Sequence, residues 1–484
     1  YAPRAAMAAP HTKSPLRIGS DGYRGIIGDT FSWDYIARLT AGTAAYLRST
    51  GAGPGAPIPI GYDTRFLAPY YARAVYHALR EEGFSPALAS TFCPSPYLSF
   101  SVKKIGAPMG VMITASHNPS SFLGYKLKGP EGGSALPEVT KAVEEFAENA
   151  KPDYNPEPAF SLTSEYEEFD CREEYAEVMR GYASPALADF PFDLTVDFVR
   201  GTTAYIYLPA LQSLGLEFTT VHTERDPLFA GGKPEPVPEQ LEELVGWVDA
   251  GGETAFGAAF DGDGDRLGLI DEASQFVPPE DIYVICLLHL VEDRGMSGRV
   301  VKSVSLSSLI DLAAQEFGLQ VVEVPVGFKH STKEMLVPGT LMAAEESGGF
   351  GFGFHLPERD ALLALILILS AMAERKTTLR QLRESIAGRF GHPHFYRQDI
   401  PLVGLSQAEV VRQRIAALKH DPSTVGIHSA RISQLDGLKF SFPEGFLLLR
   451  FSGTEPLVRI YCEHKEENRE KDLVQRVKDF LFQE

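Results

Sequence analysis

Along this chain, apolar positions switch repeatedly between helical spacing and short unbroken runs. In YARAVYHALREEG (71–83) apolar residues recur every three to four positions up to a glycine stop, and the strand-like SPALAS follows at once. IDLAAQEFGLQVVEVPVG (310–327) repeats the order, with a helical stretch, Gly318, then a β-branched run. Such alternation predicts strands fed by helices, the parallel α/β arrangement. The most apolar stretch, ALLALILILSAMA (361–373), lies between Asp360 and Glu374. A membrane span needs roughly 18 apolar residues or more, so this segment predicts a buried helix.

Four apolar runs end differently. GVMIT runs into ASHNP, GAAF into DGDGDR, TLMAA into EESGG, and GFLLLR into FSGTEP. Each reads as a short buried strand that delivers a small, polar loop rich in Gly or Ser. Ligands of α/β sheets bind beyond the carboxyl ends of strands, where backbone N–H groups point outward. The four loops are therefore expected to face one shared cleft, one from each domain. At 484 residues the chain is too long for a single core. Pro- and Gly-rich breaks at KPDYNPEPAFS (151–161), ASQFVPPED (273–281) and GRFGHPHF (388–395) divide it into 12–165, 166–277, 278–390 and 391–484. A further cluster, GGKPEPVPE (231–239), reads as a loop inside a domain because a helical pattern follows it.

Composition narrows the partners. Hydrophobic residues at 44% and charged residues at 23% are those of an ordinary soluble globular protein. A net charge of −19 would repel a nucleic-acid backbone, but leaves room for a small anion wherever Arg and Lys converge. The four cysteines, Cys93, Cys171, Cys286 and Cys462, are far apart and show no zinc spacing, so they read as reduced thiols of a cytoplasmic protein. The opening YAPRAAMAAPHTKSP has no apolar core of a secretory signal and reads as a disordered tail.

DGDGDR sets Asp261, Asp263 and Asp265 at alternate positions in a glycine-permitted turn. Three carboxylates that close repel one another unless a cation sits among them, and an all-oxygen set suits Mg²⁺ better than zinc. A calcium EF-hand is the rival, since counting from Asp261 puts Glu272 at the bidentate glutamate position. Against it, Arg266 stands where the sharp turn needs Gly, and AAF and LGLI on either side read as strands rather than helices. Ser116 and His117, in VMITASHNPSS (111–121), stand at the mouth of a buried strand that Pro119 ends. Alone they are ordinary turn chemistry, but Mg²⁺ commonly completes its shell with phosphate oxygen, and a phosphate carried on Ser116 would supply it. RFSGTEP has the make-up of a phosphate nest, with Arg450, the Ser452 and Thr454 hydroxyls and the backbone around Gly453; alone it fits a hairpin turn equally well. No Walker sequence occurs, and the glycines of EESGGFGFG do not open a helix as G-x-G-x-x-G, which excludes nucleotide binding.

TASHNP (114–119), DGDGDR (261–266), EESGG (345–349) and RFSGTEP (450–456), in this order, resemble the loops of the α-D-phosphohexomutases, in the phosphoglucomutase/phosphomannomutase branch. GSDGYRGIIGD (19–29), YDTRFLA (62–68), DPLFAGGKPEP (226–236), VVKSVS (300–305), PVGFKHS (325–331) and HLPERDALLA (355–364) extend the resemblance over nearly the whole chain. It implies three related α/β domains with mixed sheets and a smaller α+β C-terminal domain around a central cleft. Ser116 would carry a phosphoryl group, and Asp261, Asp263 and Asp265 would hold one Mg²⁺ together with it. Glu345 and Ser347 would bind sugar hydroxyls. Arg450, Ser452, Gly453 and Thr454, with Arg459 near, would hold the phosphate that is not reacting. Lys126 matches a proton-transfer lysine, Arg24 and Arg266 would add positive charge, and His117 would orient the loop or a substrate oxygen. Lys302 and Lys329 would contact substrate.

The reaction implied interconverts hexose 1-phosphate and hexose 6-phosphate through a phosphoserine and glucose 1,6-bisphosphate, with glucose favoured and mannose next. Phosphoglucosamine mutase is the alternative within the family. From another class, a metal-dependent sugar-phosphate phosphatase would share the serine and metal loop but need no second phosphate holder. The partners implied are small hexose phosphates, without nucleic acid or membrane, for a monomer or homodimer. The chain departs from the family pattern at Leu123, where Asn usually precedes Gly124, and at Ala361, where Gly is usual.

Overall fold

The computed structural model describes residues 16–19, 22–152, 155–161, 163, 165–452 and 456–483. The opening segment read as a tail lies outside them, as do Gly453 and Thr454 of the last loop.

Four sheets are formed. The first runs in the order β1 (Tyr23–Ile26), β5 (Phe122–Lys128), β4 (Gly110–Ile113), β2 (Pro57–Tyr62), β3 (Ser85–Ala89), β6 (Glu168–Phe169). The second is β11 (Phe276–Val277), β10 (Leu267–Ile270), β9 (Ala255–Phe260), β7 (Asp193–Asp197), β8 (Phe218–Val221). The third is β13 (Gln320–Val324), β12 (Arg299–Ser303), β14 (Thr340–Ala344), β15 (Phe350–Phe352), β16 (Leu356–Arg359). The fourth is antiparallel throughout: β17 (His394–Pro401), β21 (Leu457–His464), β20 (Gly445–Phe451), β19 (Leu438–Phe442), β18 (Arg431–Ser433).

One unit recurs in the first three. Two parallel strands flank a central one, and one of the flanking strands folds back into an antiparallel fourth: β3-β2-β4-β5, β8-β7-β9-β10 and β13-β12-β14-β15. These are three related α/β domains with mixed sheets, followed by a smaller α+β domain. The strands that feed the loops, β4, β9 and β14, are buried along their whole length, which is why they read as unbroken apolar runs. All four polar loops are hairpin connections: 114–121 joins β4 to β5, 261–266 joins β9 to β10, 345–349 joins β14 to β15, and 452–456 joins β20 to β21. Topological repetition therefore delivers the same loop from each α/β domain.

The helices follow the predicted spacing. YARAVYHALREEG falls in the helix Ala68–Glu81, and IDLAAQEFG in Leu309–Glu316. The apolar segment 361–373 is buried within the helix Ala361–Arg375, whose N-cap Asp360 carboxylate accepts from the Leu363 N–H at 3.1 Å. No helix among the described residues is long and apolar enough to cross a membrane.

Burial is shared unequally. One continuous apolar cluster runs from Tyr97, Leu98 and Met112 of the first domain through Tyr207 and Phe260 of the second to Leu363 and Ile366 of the third. The C-terminal domain keeps its own core around Phe440, Leu447, Ile460 and Val477. A small cluster of Val304, Phe446, Leu448 and Tyr461 joins it to the third domain. Polar tethers supplement that cluster. Lys439 on β19 donates to the Val304 carbonyl at 2.7 Å and pairs with Glu323, and the Glu463 carboxylate accepts from the Ser308 N–H at 3.1 and 3.2 Å.

Candidate active site

The loop after β4 begins with strained backbone. Ser116 has φ 52°, in the left-handed region that a side chain seldom adopts. Its hydroxyl donates to Asp261 Oδ2 at 2.8 Å, across the boundary between the first and second domains, and lies 3.3 Å from His117 Nδ1. The strained turn is held by a side chain 51 residues away. Arg65, wholly buried, donates through Nη2 to the carbonyls of Ser116 and Asn118, each at 2.6 Å, and through Nη1 to those of Pro119 and Phe122 at 2.7 and 3.2 Å. Its Nε meets Asp63 at 2.9 Å; Asp63 in turn accepts from the Thr114 hydroxyl, and the Thr114 oxygen accepts from the Ser116 N–H. A lysine has a single point charge and no planar fork. Arg65→Lys is expected to leave two or more of those carbonyls without donors, at about 1–3 kcal/mol each. It should lower both the thermal midpoint and kcat, and unchanged values of both would remove Arg65 as the clamp.

Arg24 on β1 closes the loop's other side, with Nη1 donating to Asn118 Oδ1 at 2.5 Å. Gly124 is required beneath it, since a Cβ there would meet the Thr114 carbonyl at 2.4 Å. Burial pushes the His117 imidazole well below its ordinary pKa, and Arg266 and Arg24 push it the same way. Both influences favour the neutral ring over the imidazolium.

In the loop after β9, ligand oxygens of Asp261, Asp263 and Asp265 lie within 4.8 Å of one another, with all three residues buried. Gly264 takes φ 71° to make the turn, and its carbonyl accepts from Tyr207 OH at 2.7 Å. Asp261 Oδ1 accepts from the N–H groups of Asp265 and Arg266 at 2.9 and 3.1 Å. Even so, burial first, then the charges of Asp265 and Asp263, raise its pKa well above the carboxylate range. Lys126 on β5 donates to Asp263 at 2.8 Å and lies 3.6 Å from Asp265; Arg359 lies 2.6 Å from Asp265; Ser95 donates to Asp263 at 2.6 Å. Buried, all-oxygen and mutually repelling, this trio fits a small hard divalent cation. The EF-hand alternative is excluded here as in the sequence: strands flank the loop, and Glu272 accepts from the Leu379 and Arg380 N–H groups, each at 2.8 Å, at the start of a helix. The other clustered trio among the described residues, His289, Asp293 and Glu374, already has Arg375 at 2.9 Å from Asp293.

The loop after β14 joins the same network. Arg359 Nη1 lies 3.5 Å from Glu345 Oε2, so one guanidinium spans the aspartate and glutamate loops. Burial pushes Glu345 up to about 7 against the pull of Arg359. Its other oxygen accepts from the Gly327 N–H at 2.8 Å. Ser347 is half-buried next to it in the loop. Lys329 reaches from the third domain to the Gly19 carbonyl of the first at 3.5 Å. Arg266 pairs with Glu235 at 2.9 Å, and Glu235 lies 4.0 Å from His117. Lys302 is not brought to this set. It is buried and donates to Asp311, to the Ser307 carbonyl at 3.1 Å and to the Leu306 carbonyl at 3.5 Å, so its three N–H bonds serve its own strand end.

In the C-terminal domain, Arg450 on β20 stands directly opposite Arg459 on β21. Like charges facing each other across a ladder are destabilising. Here a carboxylate stands on each, Asp436 at 2.7 Å from Arg450 and Asp399 at 3.3 Å from Arg459.

Arg65, Asp63, Arg359, Glu235 and Asp436 were not singled out from the sequence. The first four sit in segments the resemblance covers, YDTRFLA, HLPERDALLA and DPLFAGGKPEP, and that was their one signal.

Comparison with known proteins agrees with this architecture. Family models for phosphoglucomutase/phosphomannomutase match in order: alpha/beta/alpha domain I over residues 16–153, domain II over 173–274, domain III over 278–390 and the C-terminal domain over 405–480. A protein of Methanothermobacter thermautotrophicus named as a probable phosphoglucosamine mutase is 26% identical, with 97% of this chain and 98% of the relative covered. A phosphoglucomutase/phosphomannomutase of Thermococcus kodakarensis is 25% identical, with 95% and 96% covered. The crystal structure of a Thermus thermophilus protein described as a "putative phosphomannomutase" superposes with a TM-score of 0.82 at 30% identity, covering 97% of this chain and 99% of that one. With the repeated hairpin loops in place and all of the family's domains matched in sequence order, the chain belongs to the α-D-phosphohexomutases, in their phosphoglucomutase/phosphomannomutase branch.

Proposed function

We propose that this member of a family of intramolecular phosphotransferases interconverts hexose 1-phosphate and hexose 6-phosphate, with Ser116 as the phosphoryl carrier. The observation that carries the proposal is the Ser116 hydroxyl on its strained turn, donating to Asp261 within the aspartate trio. A serine hydroxyl is a weak nucleophile, and phosphoryl transfer is mostly alignment plus charge stabilisation. Arg65 fixes the backbone that aims Ser116, and Arg24 and Arg266 add cationic charge around it. Asp261, Asp263 and Asp265 would hold Mg²⁺, which when bound supplies charge neutralisation at the transferring phosphate.

In the forward half, the Ser116 O–P bond breaks as a P–O bond forms to the free C1 or C6 hydroxyl, and the proton of that hydroxyl replaces one that the Lys126 ammonium gives to the freed Ser116 oxygen. The hexose bisphosphate so formed turns end for end. In the return half its other phosphate moves to Ser116, and the proton returns to the oxygen left on the sugar. Atoms balance over the cycle with no water consumed. Throughout, the phosphate that is not reacting rests on Arg450 and Arg459, with the Ser452 loop beside them. A phosphatase has no use for that second holder, which favours the mutase. Glu345 and Ser347 recognise the sugar hydroxyls. Glucose phosphate is the proposed substrate; glucosamine phosphate is the second reading, favoured by the relatives named phosphoglucosamine mutases.

The test is an assay with Mg²⁺, glucose 1-phosphate and a trace of glucose 1,6-bisphosphate, run in parallel with mannose and glucosamine phosphates. Glucose 6-phosphate without stoichiometric free phosphate is expected, and inorganic phosphate as the main product would contradict the mutase. A faster glucosamine reaction would replace the sugar assignment and leave the mutase standing. Arg450→Ala is expected to raise KM by about tenfold or more, the cost of one charge-assisted phosphate contact.

A further inference from the structure

Asp436 sits in the turn before β19, where Gly437 has φ 90° and a Cβ would strike the Leu449 carbonyl at 2.3 Å, so both the conformation and the close approach call for glycine. The turn lies close against Arg450 on the neighbouring strand, 3.1 Å separating the Arg450 Cα from where that Cβ would be. Asp436 Oδ2 accepts two hydrogen bonds from two domains: Arg450 Nε at 2.7 Å within the C-terminal domain, and the Val326 N–H of the third domain at 3.0 Å. The next residue, Gly327, donates its N–H to Glu345 at 2.8 Å. Two consecutive peptide groups thus face opposite ways, one toward the arginine of the phosphate loop and one toward the glutamate of the sugar loop.

We infer that Asp436 is a positioning residue: it aims Arg450 and fixes the spacing between the phosphate holder and the sugar loop. The inference rests on Arg450 being that holder. A carboxylate on Nε leaves both Nη groups of the guanidinium for a bidentate anion. It also offsets part of the repulsion between the facing Arg450 and Arg459, so the pair stays preorganised before substrate arrives. The Val326 contact gives this arrangement its second consequence. The C-terminal domain meets the third through little apolar surface, so a directional hydrogen bond beside Glu345 sets where Arg450 stands relative to the sugar. A phosphate bound on Arg450 and a hydroxyl bound on Glu345 are then held at one separation, which the two orientations of the bisphosphate must both satisfy.

The experiment uses the full chain and reads KM, kcat and competitive inhibition by inorganic phosphate for Asp436→Asn, Arg450→Ala and the double variant. Asn keeps an oxygen for the Val326 N–H but loses the charge on Arg450, so the fold is retained and the aim is weakened. Asp436→Asn is expected to raise KM about tenfold with kcat within about twofold, and in the Arg450→Ala background the same change should add nothing. If KM rises in Arg450→Ala but not in Asp436→Asn, the inference fails and the phosphate holder stands. If the Asp436 effect persists undiminished without Arg450, Asp436 acts on the domain contact alone and the inference also fails. If Arg450→Ala leaves KM unchanged, the phosphate holder itself fails and takes the inference with it.

Discussion

Ser116→Ala is expected to lower mutase turnover by at least about 10⁴-fold, as removal of an essential nucleophile does, while the protein stays folded. The Ser116 side chain makes one hydrogen bond of consequence, to Asp261, which keeps two backbone N–H donors without it. The turn itself is held by Arg65 on backbone carbonyls that alanine also possesses. The loss would therefore fall on kcat, and the thermal midpoint should move little. Kinetics with glucose 1-phosphate and a thermal melt decide it together. Turnover above about a hundredth of wild type in a folded variant would remove Ser116 as the carrier.

Asp261→Asn is expected to abolish activity without lowering stability in the absence of metal. Asp261 is buried among two further carboxylates, and burial and their charges hold it well above its ordinary pKa. Asparagine is nearly the same shape. Its oxygen accepts the Asp265 and Arg266 N–H bonds, its amide donates to the Ser116 oxygen, and a buried carboxyl whose ionisation the site opposes is removed. The wild-type protein should instead gain thermal stability on adding Mg²⁺, by about 2.7 kcal/mol at a hundredfold excess over Kd, and lose both that gain and its activity to EDTA. In Asp261→Asn the Mg²⁺-dependent gain should vanish along with at least about 10³-fold of kcat. An Mg²⁺ shift as large in the variant as in the wild type would place the cation elsewhere.

How much of this was legible depended on whether the chemistry was contiguous. DGDGDR and TASHNP carry their meaning within six residues each, and both loops lie where the apolar runs ended. The strand ends were legible too, because β4, β9 and β14 are buried on both faces. That the loops occupy one repeated hairpin was not, since topology repeats here without any repeated sequence period. Arg65 escaped notice because its acceptors are main-chain carbonyls 51 to 57 residues ahead, and a carbonyl has no sequence signature. Arg359 and Asp436 escaped for a related reason: each acts between domains, at Asp265 and Glu345 for one and at Val326 and Arg450 for the other. Lys302 failed in the opposite direction. The resemblance at VVKSVS suggested a substrate contact, but a buried ammonium must satisfy its three donors locally, and Asp311 nine residues on is the available partner.

The central claim is that one serine carries the phosphoryl group between the two halves of the reaction. Incubating the protein with glucose 1,6-bisphosphate labelled in its phosphates, then mapping the label by mass spectrometry, addresses it directly. Label on the peptide containing Ser116, discharged on adding unlabelled glucose 1-phosphate, is the expected result. Full turnover with that peptide unmodified at every time point would contradict it.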